Sequence, residues 1–93
     1  MLTRITALIL MLCFSHARLQ AQQNKRIDSL KNKIATALPD TSKVNLLVDL
    51  AIQYVNIDSA KAIQNITHAL KLSNQLKYVD GQIDAYNNLA FFT

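Results

Sequence analysis

The chain predicts an all-α fold of antiparallel helix-turn-helix units following an export signal, and three observations carry that expectation. Glycine and proline occur once each in 93 residues, as Gly81 and Pro39, too few for strands joined by tight turns. Apolar residues recur at spacings of three and four along most of the chain, the period of a helix with a buried face. Residues with capping oxygens, Asp40-Thr41-Ser42 and Asp58-Ser59, stand where those patterns break. With 51% hydrophobic and 17% charged residues, the composition belongs to a folded chain rather than a solvated tail.

The first element reads as a secretory signal over residues 1–21. A short basic start at Arg4 precedes an apolar run from Ile5 to Phe14 and a small-residue exit, Ser15-His16-Ala17 and then Leu19-Gln20-Ala21. The run is too short to span a hydrocarbon core, which needs about 20 residues as a helix. Cleavage after Ala17 or Ala21 fits, leaving 76 or 72 residues. Export to the periplasm or the extracellular space is therefore expected, with no membrane-spanning helix in the mature chain. Cys13 lies inside the apolar run behind Leu12 rather than behind a small residue, so it reads as a hydrophobe removed with the signal.

Removing Arg4 and Arg18 leaves eight basic residues against six aspartates, a balance of +2. Four of the eight, Lys25, Arg26, Lys31 and Lys33, are spread around one helix rather than gathered on a face. That argues against a nucleic-acid interface, which needs concentrated positive charge.

Residues 22–39 predict an amphipathic helix in which Ile27, Leu30, Ile34 and Leu38 fall within about 80° of arc, ending at Pro39. A second helix follows over about Ser42 to Asn56. Its apolar residues, from Val44 to Val55, cover roughly 240° of arc and require contacts from two sides. A third helix, about Ser59 to Tyr78, places Ala62, Ile63, Ile66, Ala69, Leu70, Ser73 and Leu76 on its buried face. Small residues there permit close approach of the second helix. A last helix begins near Asp80-Gly81, with Ile83, Tyr86, Leu89 and Phe92 as its apolar face.

Leu50-Ala51 recurs as Leu89-Ala90 after 39 residues, and a two-sided helix followed by a small-residue helix is the unit of a helical solenoid. On these residues the chain resembles the tetratricopeptide repeat family. Leu50, Ala51 and Tyr54 match the motif of its first helix, and Ala62, Ile66, Ala69 and Leu70 that of its second. The likeness makes residues 40–79 one repeat, matched from Lys43 to Gln75. Residues 80–93, with Leu89 and Ala90, become the first helix of a truncated second repeat. The pattern departs at Leu47, in the family's Trp position, at Ala51 and Ala90, in its Gly position, and in lacking a glycine between the helices.

The export signal, the Ile27 to Leu30 helix and Leu38 to Val44 leading into a repeat also resemble the start of bacterial extracytoplasmic sensor proteins, of histidine kinase or transcription-regulator type. No output module is present. The resemblance implies a partner groove lined by Asn45, Val48, Ile52, Val55 and Asn56, with Asp84, Asn87 and Phe91 from the last helix. That groove is mainly apolar and holds no basic residue, which suits an apolar peptide, a partner helix or the protein's own N-terminal helix; left open, it invites self-association. The expected function is an exported protein-interaction module, the sensor-side part of a longer signalling protein. A truncated reading frame without independent function is the alternative.

An enzyme is not expected. No catalytic, cofactor or metal site is anticipated from a chain with two histidines, one cysteine and no glutamate or tryptophan. His68 reads as a surface residue, since it falls opposite the Ala62-Ile66-Ala69 face and is followed by Ala69 rather than an acid.

Overall fold

The computed structural model describes the backbone of residues 2–93 and the side chains of residues 17–93. Cys13 and the apolar run of the expected export signal thus lie outside the described side chains. Four helices follow one another: α1 (Leu2–Thr36), α2 (Thr41–Tyr54), α3 (Ser59–Leu76) and α4 (Val79–Phe92), with no strand among the described residues. α2 packs against all three others. α3 also packs on α4, whereas the described part of α1 meets only α2.

Local chemistry sets each boundary. Pro39 disfavours a helical conformation in the residue before it, so α1 stops at Thr36. The Thr36 hydroxyl there bonds back to the carbonyls of Asn32 and Lys33 at 3.3 Å. Leu38, expected at the end of the buried stripe, falls outside the helix and is 75% exposed. Asp40 caps α2 by accepting from the Ser42 and Lys43 amides at 3.0 and 3.3 Å, and Asp58 caps α3 by accepting from Lys61 N–H at 3.2 Å. α2 ends at Tyr54, two residues before the expected Asn56, where the Ile57 and Asp58 amides both close onto the Tyr54 carbonyl.

α3 ends at Leu76 instead of Tyr78 because Lys77 adopts a left-handed conformation, φ 55° and ψ 36°. Its amide donates to the Asn74 carbonyl and that of Tyr78 to the Ser73 carbonyl, the paired closure that usually carries glycine. A side chain there costs about 1–2 kcal/mol. Part of this is returned to the unfolded state when glycine replaces it. Lys77→Gly should therefore raise stability by about 0.5–1 kcal/mol, read as a higher midpoint in urea at unchanged slope. A lower midpoint would show that the lysine stem packs productively.

The core is built across α2. One cluster joins Val44, Leu47, Val48 and Ala51 of α2 to Ile66, Ala69 and Leu72 of α3 and Ala85 of α4. A second joins Leu50 and Tyr54 of α2 to Ile27 of α1 and Ala62 of α3. Ala51, Ala62, Ala69, Ser73 and Ala85 are fully enclosed. The Ser73 hydroxyl is satisfied by the Leu70 carbonyl at 2.8 Å, so it costs little where it sits. Leu72, absent from the expected face of α3, is buried, while Leu76 is 38% exposed and Leu70 is only half-buried.

α4 departs furthest from expectation. Its inward residues are Gly81 and Ala85, with Leu89 and Phe92 half-buried, whereas Ile83 and Tyr86 point outward at 52% and 57% exposure. The smallest side chains were selected inward because α4 crosses α2 very closely. A Cβ on Gly81 would lie 2.5 Å from the Tyr78 ring and 2.9 Å from a methyl of Val44. Val44 is wholly buried and cannot yield. Gly81→Val should cost about 2–3 kcal/mol through overpacking, which for a domain this size lowers the melting temperature by roughly 10–20 °C. An unchanged melt would contradict this crossing.

Candidate interaction surface

The residues expected to line one groove are distributed differently. Ile52 is 44% exposed and Phe91 80% exposed, while Asn45, Asn56 and Asn87 are exposed and Val55 is half-buried at the end of α2. Val48 is not available to a partner. It is 8% exposed, inside the cluster with Ile66, Ala69 and Ala85. The resemblance had placed Val48 on the groove side of its helix, whereas here it joins the cluster shared by α2, α3 and α4. Asn45 is engaged as well, since its Oδ1 accepts from the Tyr78 hydroxyl at 3.3 Å. Asp84 is exposed, and its backbone carbonyl accepts from the Asn88 amide group at 2.8 Å.

Ile52 instead shares a cleft with α1. Arg26, Ser29, Leu30 and Lys33 from α1 and Asp49, Ile52 and Gln53 from α2 line about 280 Å³ of space. Arg26, Ser29 and Lys33 stand three and four residues apart, so they share one helix face. Next to it the Gln23 side chain donates to the Gln53 carbonyl at 3.2 Å, fixing the two helices in register. The surface around Ile52 therefore carries two cations and one carboxylate, which corrects the expectation of a groove without basic residues. Those cations belong to α1, whose register against α2 cannot be read from α2 and α4.

The repeat-motif residues come together as packing, not as a reactive centre. Leu50, Tyr54 and Ala62 share one cluster, and Ala51, Ile66 and Ala69 the other. Tyr54 has charged neighbours besides its buried ones: the ammonium groups of Lys31 and Lys61 stand 5.8 and 5.5 Å from its ring centroid, within cation–π range. Attraction to the Tyr54 hydroxyl holds the Lys31 ammonium above its ordinary value of 10.5, with Asp28 adding in smaller measure. Leu89 of the motif is half-buried and Ala90 exposed.

Among the described residues no three His, Cys, Asp or Glu side chains converge as metal ligands, and no buried polar side-chain atom lacks a partner. No helix is long and apolar enough to cross a membrane, among the residues described. His68 is exposed. His68→Ala should leave the melting midpoint within about 0.5 kcal/mol of the parent; a larger loss on thermal melting would reveal a contact absent from the fold. Comparison with known proteins finds no match: no family model, curated protein or solved structure is significantly similar to the chain.

Proposed function

We propose that this chain is an exported protein-interaction module of tetratricopeptide type, forming the sensor-side start of a longer signalling protein. The observation that carries the reading is the relation between α2 and α4 at the 39-residue offset. Val44, Leu47 and Ala51 are buried in the cluster that α3 completes with Ile66 and Ala69. Their equivalents Ile83, Tyr86 and Ala90 are exposed on α4. One residue pattern thus recurs on two helices 39 residues apart, and on α2 it is the face that the next helix, α3, closes, as in a nearest-neighbour solenoid. Small residues at the α2–α3 crossing, Ala51, Ala62 and Ala69, support the repeat, because they let its two helices approach closely.

Lengthening the chain tests the repeat. A second copy of residues 41–79 inserted between Val79 and Asp80 keeps the 39-residue register and should raise the melting temperature, because it adds one repeat and its interfaces. An equal or lower melting temperature rejects the repeat. Export is tested separately by expression in a bacterium and N-terminal sequencing of the chain found outside the cytoplasm, which should begin at Arg18 or Gln22; retention with an intact N-terminus rejects that part. For binding, peptides selected against the chain should lose affinity at least tenfold with Ile52→Asp, a surface change that leaves melting intact. Equal affinity would remove the α1–α2 cleft from the function.

A further inference from the structure

Residues Ala17 to Gln22 of α1 are all exposed, and Leu19 among them keeps 63% of its surface. Leu19 and Gln22 only border an open space beside Gln53. The packed part of the helix begins one residue later. The Gln23 side chain is half-buried and donates to the Gln53 carbonyl at 3.2 Å, and Ile27 is the first buried residue of α1 among those described. Of the two junctions that fit a signal peptidase, Ala21–Gln22 is therefore the one that coincides with the edge of the fold. Cutting there removes exposed Leu19 and keeps Gln23 and Ile27, which α2 holds. Cutting after Ala17 retains one exposed turn, Arg18 to Ala21.

Gln22 then becomes the first residue of a helix, and a charged amine is badly placed there. The positive end of the helix dipole repels it. Lys25 and Arg26 follow at three and four residues, on the same side of the helix, and the first acidic residue is Asp28. A carboxylate or a neutral group suits that end; an ammonium does not.

Glutamine at an N-terminus can remove this charge by itself. The α-amino nitrogen attacks Cδ of its own side chain, the N–Cδ bond forms and the Cδ–Nε2 bond breaks. One amine proton leaves with the side-chain nitrogen as ammonia, and a five-membered lactam remains. Nothing is oxidised or reduced, and no co-reactant is consumed. Gln22 is exposed, so its side chain is free to turn onto its own amine, whereas the Gln23 amide is engaged with Gln53.

We infer that the exported chain begins at Gln22 and that this residue closes to pyroglutamate, a neutral cap on the N-terminus of α1. The inference rests on the export proposed above. Closure abolishes the terminal charge as N-terminal acetylation does, and it withholds the free amine that aminopeptidases require.

The test is to express the full chain in a bacterium, recover it from outside the cytoplasm and measure its intact mass. The expected mass is that of residues 22–93 less one ammonia. Stepwise sequencing should be blocked until pyroglutamyl peptidase removes the lactam, after which it reads Gln23-Asn24-Lys25. Any free Gln22 found at harvest should convert to the lactam over days in warm phosphate buffer. Gln22→Ala should be exported alike and read directly from the substituted residue, because alanine cannot close.

Three results overturn the assignment: a mass corresponding to residues 18–93, a free Gln22 terminus whose mass holds through the incubation, and a Gln22→Ala chain as blocked as the parent. Each of these leaves export standing. An intact chain retained in the cytoplasm rejects export and the lactam together.

Discussion

Ala69→Arg should abolish cooperative melting at 25 °C. Ala69 has no exposed surface and lies among Val44, Leu47, Val48, Ala51, Ile66, Leu72 and Ala85, where three helices meet. Overpacking a closed site costs about 1–3 kcal/mol, and a buried guanidinium without a partner adds several more. A core of this size supplies roughly 3–5 kcal/mol in total, so the sum exceeds the stability available. Circular dichroism at 222 nm should show a broad, shallow decline with temperature in place of a sigmoid. Ala69→Leu separates volume from charge and should lose only about 1–3 kcal/mol. A variant Ala69→Arg that melts like the parent would mean that α2, α3 and α4 do not converge there.

Tyr54→Ala should cost about 3–5 kcal/mol, the range for removing a buried aromatic side chain. Tyr54 is 5% exposed, packs with Ile27, Leu50 and Ala62, and holds the lysines of α1 and α3 near its ring. The loss has a location as well as a size. α1 approaches the rest chiefly at α2, so hydrogen exchange should accelerate first in residues 23–34 and later in α3. Tyr54→Phe keeps the ring and should lose under about 1 kcal/mol. Uniform acceleration across all four helices in Tyr54→Ala would show that α1 is not separately anchored. The Lys31 contact raises the folded pKa above 10.5, so its contribution is complete below that pH and fades only as pH climbs through the raised value. Between pH 6 and 9 this pair should leave the melting temperature level.

Much of the helical order was legible before any packing was known. A cap is a local event between an aspartate and amides two or three residues on, so Asp40 and Asp58 could be placed from sequence, and both make the expected bonds. The broad apolar arc of α2 required neighbours on more than one side, and α2 touches α1, α3 and α4. The small residues Ala62 and Ala69 announced a close crossing, and both are fully enclosed. The ends of α1, α2 and α3 each came two residues before the expected position, and for α2 and α3 local sequence conceals the reason. Lys77 takes a left-handed turn that its residue type does not advertise, and Val55 hands the chain to a turn closing on the Tyr54 carbonyl.

The faces of α4 were misread because hydrophobicity does not say which apolar residue turns inward. Ile83 and Tyr86 outrank Gly81 and Ala85 on any apolar scale, yet a close helix crossing selects for small volume, and the larger residues face outward. Val48, expected in the groove from the resemblance, lies instead in the cluster that α2 shares with α3 and α4. Arg26 and Lys33 reached the Ile52 cleft through the register of α1 on α2. Residue periodicity and caps, which act within a few positions of the chain, determined that this protein is helical, where α2 and α3 start to within a residue, and that Ala62, Ile66 and Ala69 turn inward on α3. The tertiary structure decided which side of α4 turns inward and what surrounds Ile52. Those depend on distances between residues tens of positions apart, where packing volume overrides the preference of any single helix.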